Sequence, residues 1–288
     1  MMHPKTVTIR YSTKRRTALR STSVACLLLA LAACQSANVY NGVPINRAVG
    51  SSANIESLTA VIEANPRDAS AFNTRGIAFG QAGKLDKAMA DFNTALQLDP
   101  QSYQAYANRA LVQRRLGQMQ PAITDYTRAI NIKPDYDRAY VGRGNTYRLL
   151  GQYGPALNDF NIAIERNSSD SRAFYNRGLI YQAEDQHQRA IEDFATSIGL
   201  NPNATEPYIA RGISYLEIND PNAALSDLSV AVNLDKRSSI AWANRGVALE
   251  LLGKMKDASR NYNKALNLDN SNNLARQGLA RVSRAQHG

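Results

Sequence analysis

Cysteine is almost missing from this chain. Its 288 residues contain two, Cys26 and Cys34, which is too few for a disulfide framework. Histidine is nearly as scarce, with His3, His187 and His287, so no Cys/His cluster at zinc spacing can be drawn. No phosphate-binding GxxxxGK loop and no GxSxG elbow occurs. Acidic residues recur at repeated helical positions rather than as an isolated catalytic pair. A long hydrophobic run is lacking too: Val24 to Ala33 is apolar for ten residues, where a bilayer-spanning helix needs roughly 20. Finally, residues 1–23 contain no Asp or Glu. These absences argue against a metalloenzyme, a disulfide-stapled domain and a membrane-spanning chain, and no enzyme is expected.

What is present at the amino terminus explains the charge. Lys5, Arg10, Lys14, Arg15, Arg16 and Arg20 precede the ten-residue apolar core, and small residues follow it, as in a secretory signal. Leu31-Ala32-Ala33-Cys34 resembles the lipobox of bacterial lipoproteins, Leu-(Ala/Ser)-(Gly/Ala)-Cys. That resemblance implies a signal peptide over 1–33, cleavage before Cys34, a covalent lipid on its sulfur and acylation (palmitate) of the new amino terminus. The alternative is ordinary cleavage after an Ala-x-Ala-like site, leaving a soluble periplasmic protein. Arg15-Arg16 fits a twin-arginine export signal poorly, because Thr17 and Ala18 follow it. The usual inner-membrane retention signal is an aspartate after the lipidated cysteine; Gln35 stands there, so the expected location is the outer membrane, facing the periplasm. The formal charge of +10 then falls to +4 for residues 34–288, with 28 basic and 24 acidic residues. Nucleic acid is accordingly not an expected partner.

Beyond residue 68 the chain repeats every 34 residues. Gly76, Ala110, Gly144, Gly178, Gly212 and Gly246 keep that spacing, as do Ala88, Ala122, Ala156, Ala190, Ala224 and Ala258. Large residues hold two further registers: Phe72, Tyr106, Tyr140, Phe174, Tyr208 and Trp242, and Phe92, Tyr126, Phe160, Phe194, Leu228 and Tyr262. With Ala69 as position 1, residues at 4, 8 and 11 share one helix face, and those at 20, 24 and 27 share another. Small residues at 8 and 20 let two helix backbones approach. Gly83, Gly117, Gly151 and Gly253 at position 15 mark a turn between helices; Asp185 and Asn219 replace them in two repeats. Pro100, Pro134 and Pro202 at position 32 end the second helix.

These registers resemble the tetratricopeptide repeat (TPR) family. The resemblance implies an all-α fold, a right-handed α-solenoid of six consecutive helix pairs at 69–102, 103–136, 137–170, 171–204, 205–238 and 239–272. A leading helix over 55–65 and a capping helix within 273–288, with Leu279 and Val282 on one side, cover the ends. The solenoid as a whole is expected over 54–288. Residues 34–53 read as a polar tether, whose eighteen residues after Cys34 reach on the order of 25 Å. The fifth repeat, with Leu228 in place of an aromatic, reads as the loosest. His187, at a helix start, reads as a solvated surface residue.

Another register pairs charges. Position 7 is Arg75, Arg109, Arg143, Arg177, Arg211 and Arg245, and position 23 is Asp91, Asp125, Asp159, Asp193 and Asp227, with Asn261 in the sixth repeat. Both lie about 60° from the centre of their helix's buried stripe. A structural ladder of ion pairs is expected, rather than an anion-binding track, because the acids keep step with the arginines.

The family resemblance also implies a concave groove lined by positions 2, 5, 9 and 12 of the first helices. Carried onto this sequence, those positions give Arg114, Arg138, Asn145, Arg148, Arg172 and Tyr175, which are mostly basic, followed by the apolar Leu179, Ile209, Ile213 and Val247. An extended or helical peptide with acidic and apolar residues would suit it. The chaperone-type carboxylate clamp needs a lysine at position 5; Asn73, Ala107, Val141, Tyr175, Ile209 and Ala243 stand there, so a C-terminal EEVD ligand is not expected.

Size, lipobox and repeat content resemble the NlpI-like envelope lipoproteins, which implies a scaffold for peptidoglycan hydrolases or proteases. No cofactor beyond the lipid on Cys34 is expected, no metal, and partners that are proteins or peptides, a second copy included. The alternatives are a pilotin-like or outer-membrane-assembly lipoprotein serving pilus, secretin or barrel subunits, and a hydrolase of envelope polymers, for which no catalytic constellation is found.

Overall fold

The computed structural model describes residues 49–287, with side chains through Ala285. The signal segment 1–33, Cys34 and the tether up to residue 48 lie outside the described residues. Among those described there are fourteen helices and no strand, and no helix is long and apolar enough to cross a membrane. The fold is all-α, an α-solenoid of TPR helix pairs. Two compact units divide between Ile180 and Tyr181.

In the unit ending at Ile180, α1 (Ser52–Ala64) precedes three helix pairs: α2 (Ala69–Gln81) with α3 (Leu85–Leu98), α4 (Tyr103–Arg115) with α5 (Met119–Ile132), and α6 (Asp137–Leu149) with α7 (Tyr153–Arg166). α8 (Ser171–Ala183) follows. Gly80 meets Ala88 and Gly76 meets Phe92. Pairs that close symmetrically on Lys84 define an antiparallel hairpin. A Cβ on Gly76 would lie 2.7 Å from the Phe92 ring, and one on Gly144 would lie 2.9 Å from Phe160. The small residue at position 8 is therefore what lets the position-24 ring sink between the helices. Phe92 and Phe160 are almost wholly enclosed, each contributing roughly 2–3 kcal/mol of burial.

The turn inside each hairpin has one geometry. Gly83, Gly117 and Gly151 adopt φ of +75°, +76° and +72°. The next amide donates back five residues, as in Lys84 N to Phe79 O at 2.9 Å and Gln118 N to Gln113 O at 2.8 Å. This closes the helix end. The first helix begins before residue 54, where the solenoid was expected to start. α1 starts at Ser52, capped by Ser51, and Val49 packs against the cluster of Ile55, Ala78 and Phe79. Residues 49–53 thus belong to the fold, because Val49 supplies apolar cover for the end of α2 and the start of α3; this corrects the tether boundary at residue 53.

In the unit beginning at Tyr181, α9 (His187–Leu200) is followed by α10 (Thr205–Glu217) with α11 (Pro221–Leu234), α12 (Ser239–Leu251) with α13 (Met255–Leu268), and α14 (Asn273–His287). Leu228 is fully enclosed against Gly212, so the smaller side chain is fitted rather than loose. Val282 is buried and Leu279 packs beside it on the same cluster as Tyr262 and Ala265. Asp185 and Asn219 take the turn position with φ of +58° and +61°, conformations that glycine adopts without strain. His187 is not solvated: its side chain is 13% exposed, 3.9 Å from Asp185, and burial lowers its pKa despite that carboxylate.

Candidate functional site: a basic cluster on the first helices

Helices α4, α6 and α8 carry one register on adjacent positions, and there the structure gathers cations. Arg148 on α6 donates from Nε to Asn176 Oδ1 at 3.2 Å and from Nη2 to Asn145 Oδ1 at 2.9 Å. Both acceptors are neutral, and both asparagines are buried. Burial holds the Arg148 pKa below its ordinary value, and the charge of Arg114 pushes the same way. Tyr175 and Tyr153 push the other way without reversing it. A desolvated guanidinium satisfied only by amide oxygens is electrostatically under-compensated.

Arg114 is buried, and a less obvious residue adjoins it. Tyr126, on α5, is completely enclosed and interacts through its hydroxyl with Arg114. Burial raises the tyrosine's pKa, while Arg114, Arg172 and Arg115 pull it down. The ring passes beside Gly142 on α6, where a Cβ would overlap it and lie 2.7 Å from the hydroxyl oxygen. Position 6 is Asn108 after Phe92 and Asn176 after Phe160, but Gly142 after Tyr126 and Gly278 after Tyr262. A tyrosine at position 24 is thus matched by glycine at position 6 of the following helix, which opens a window for the phenol. That correlation is visible in the sequence once both registers are laid side by side.

The remaining basic residues differ in state. Arg172 is committed to Asp170, with Nε to Oδ1 at 2.9 Å and Nη2 to Oδ2 at 2.6 Å. Burial would raise Asp170, but the hydrogen bond and charge of Arg172 hold it below the usual carboxylate range. Arg138 is exposed. Arg115 donates to Gly80 O at 3.0 Å. Of these five arginines, Arg172 acts on Asp170 and Asp137 and Arg138 acts on Asp170, Asp137 also accepting from Asn167 Nδ2 at 2.6 Å. Tyr175 and Leu179 are half-buried on α8. Asn145 offers a ligand no open surface and acts instead by orienting Arg148.

In the other unit, Ile209 and Ile213 are half-buried on α10. Val247 is 3% exposed and enclosed with Leu216, Ala243 and Tyr262, so it is a core residue and not a contact. The first helices of this unit also carry acids that the apolar expectation left out. Burial raises Glu206, and burial together with Asp185 pushes Glu217 up to about 7. Glu250 accepts from Arg281 at 2.7 and 2.9 Å and from the Tyr262 hydroxyl at 2.6 Å.

The ladder residues form bidentate pairs. Arg75 holds Asp91 through two bonds of 2.8 Å. Arg109 holds Asp125 at 2.6 and 2.8 Å, Arg143 holds Asp159 at 2.9 and 2.8 Å, and Arg211 holds Asp227 at 2.7 and 2.8 Å. Arg177 and Asp193 stand on opposite sides of the division between the units. A third bond runs to the preceding repeat, at position 25: Arg75 to Thr59, Arg109 to Asn93, Arg143 to Thr127 and Arg177 to Asn161. Each of these arginines also lies over its own position-4 ring, at 5.6–5.8 Å for Phe72, Tyr106, Tyr140 and Phe174. The rungs therefore tie repeat to repeat and helix to helix, occupying the arginines internally. Among the described residues, no group of His, Cys, Asp and Glu could hold a metal.

A periodic array of helix hairpins, its arginines partly consumed by a ladder and partly left under-compensated on one helix register, defines an interaction scaffold. Family models for the tetratricopeptide repeat match residues 69–102, 103–136, 141–205 and 209–275, and the chain belongs to the tetratricopeptide repeat family. That family is generally a non-catalytic scaffold binding other proteins or peptides. No curated protein matches the chain. Among solved structures, it is similar to the Cut9–Hcn1 hetero-tetramer of APC/C, at 18% identity and a TM-score of 0.72, covering 82% of this chain and 47% of that one. The chain thus spans about half the length of that relative. It is also similar to Pseudomonas aeruginosa pilF, at 18% identity and 0.69, covering 75% and 100%. A tetratricopeptide repeat protein from Parabacteroides merdae matches at 21% and 0.59, covering 80% and 91%. At these identities the likeness concerns the fold.

Proposed function

We propose that this chain is a non-catalytic adaptor whose basic cluster on α4, α6 and α8 holds an acidic segment of a partner protein. The observation carrying this reading is Arg148, a desolvated cation whose hydrogen-bonding partners are the neutral Asn145 and Asn176. A partner's carboxylate would supply the charge that the fold withholds. Lipidation at Cys34 would hold the array on the periplasmic face of the outer membrane and raise the local concentration of its partners. Envelope maintenance, with peptidoglycan hydrolases or proteases as clients, is the role this arrangement suits, and it rests on the lipobox and the repeat content.

A photo-crosslinking residue at the exposed position 138 or the half-buried position 175 tests the surface in cells. Arg148→Met should abolish capture of a specific acidic partner while leaving the melting temperature unchanged or higher, since it removes an under-compensated buried charge. Loss of stability with capture intact would overturn the assignment. Metabolic labelling with a lipid precursor tests the anchor separately: label persisting in Cys34→Ser sinks it.

A further inference from the structure

The sixth rung of the ladder is broken, and beside it lies a cleft. Asn261 stands where the other repeats carry aspartate. Arg245 donates from Nε to Asn261 Oδ1 at 2.8 Å, but the other end of that amide is a donor, committed to Asp257 O at 2.8 Å. The second bond of the fork, made by Nη2 in Arg211–Asp227, has no acceptor here among the described residues. The guanidinium instead stacks on Trp242, 4.3 Å from the ring centre, against 6.0 Å for Arg211 over Tyr208. Burial lowers the Arg245 pKa with no carboxylate to offset it.

Arg245 lines a cleft of about 290 Å³ with Arg260, Ser229, Asn261, Leu225 and Leu249. Asp257 also lines it and is paired with Arg260, which leaves one net positive charge, that of Arg245. Ser229 occupies position 25 of the preceding repeat, the place from which Thr59, Asn93 and Thr127 accept a bond from other rungs. Its hydroxyl is turned to Leu225 O at 2.6 Å.

We propose that this cleft is a carboxylate-binding site, in which a ligand's carboxylate accepts from the Nη groups of Arg245 that Asn261 leaves without a bond. The intact rungs show that an arginine at this position donates from Nη2 to a carboxylate oxygen. The cleft has room for a few carbon atoms behind it, against Leu225 and Leu249. The carboxylate belongs either to a free small acid or to an Asp, Glu or chain terminus of a peptide. This site shares no residue with the cluster on α4, α6 and α8.

The test titrates the full chain with succinate and, separately, with a short peptide containing a single glutamate. Thermal shift and the Arg245 Nε–H resonance serve as readouts. Both should respond in the wild type. Asn261→Asp, which restores the rung found elsewhere in the same chain, should fold with equal or higher stability and weaken binding at least tenfold; Arg245→Met should do the same to binding. Tighter binding of succinate assigns the site to a small acid, and tighter binding of the peptide assigns it to a protein segment. Equal binding by Asn261→Asp and wild type, or no response of the Arg245 resonance to either probe, would overturn the proposal.

Discussion

Arg143 holds Asp159 with two parallel bonds, Nε to Oδ2 at 2.9 Å and Nη2 to Oδ1 at 2.8 Å, while its third nitrogen reaches Thr127 at 3.0 Å. Both pKa values rise, which disfavours the charged carboxyl and favours the charged guanidinium. Burial raises the Asp159 carboxyl more than Arg143 lowers it. Arg143 itself is raised, its burial outweighed by the bond and charge of Asp159. Both shifts describe one buried pair, in which charge is costly and the two-bond fork offsets the cost. With Asp159 only 2% exposed, removing the arginine alone strands a carboxylate. Arg143→Met should therefore cost about 3–5 kcal/mol. Asp159→Leu alone should be similarly harmful, and the double variant less so than the sum, with a coupling of about 1–3 kcal/mol in denaturant unfolding. Strict additivity would contradict the pair's coupling.

Gly142→Ala should be unusually damaging for so small a change. Its methyl group would overlap the ring of Tyr126, and overpacking of this kind costs about 1–3 kcal/mol. Tyr126→Leu, which copies the Leu228 of the fifth repeat, should recover much of the loss in Gly142→Ala. Because the Tyr126 hydroxyl also interacts with Arg114, the rescued double variant should remain weak in partner binding. Rescue of stability and binding together would show that this interaction does not serve binding.

Glu217 makes stability depend on pH. Its native pKa is about 7, raised from 4.5 by burial and Asp185. The protonated native form is favoured, so this contribution is fully present below about 4.5 and is lost as pH rises through about 7. Glu217→Gln should be indistinguishable from wild type at low pH and more stable at pH 8. The gain should be on the order of 1 kcal/mol once solvent screening is allowed for. Urea midpoints measured across that range check the sign.

Asn219 carries a φ of +61° at the hairpin turn. Asn219→Ala should cost about 1 kcal/mol, because alanine tolerates the left-handed region poorly. Asn219→Gly should stay within about 0.5 kcal/mol of wild type, relief of strain being offset by a freer unfolded chain. Thermal unfolding of the three proteins separates the two effects.

Much of this was legible in the sequence because the repeat is a packing rule written many times. Gly76, Gly144, Gly212 and Gly246 could be seen as the small position, and the position-24 residues as what fills it. The hairpin turn was equally plain, since a left-handed residue at fixed spacing admits few side chains. The arginine and aspartate registers were readable as periodicity. Their bonds to Thr59, Asn93 and Thr127 emerge only from the fold, although polar residues recur at position 25. The groove positions were less transparent. Val247 and Ile213 share one register, yet Val247 is enclosed by Tyr262 and Leu216 while Ile213 stays half-buried, because burial depends on what the neighbouring helices place opposite.

Local rules suffice for the helices, turns and period of this chain, since backbone conformation and hairpin packing depend on residues at most a repeat apart. The electrostatic state of each arginine is of another kind. Arg143, Arg148, Arg172 and Arg245 are one residue type on similar helices. The first and third are neutralised by Asp159 and Asp170, the second rests on two amides, and the last faces a cleft beside Asn261. Only folding brings those partners within about 3 Å and removes the water that would otherwise make the four alike.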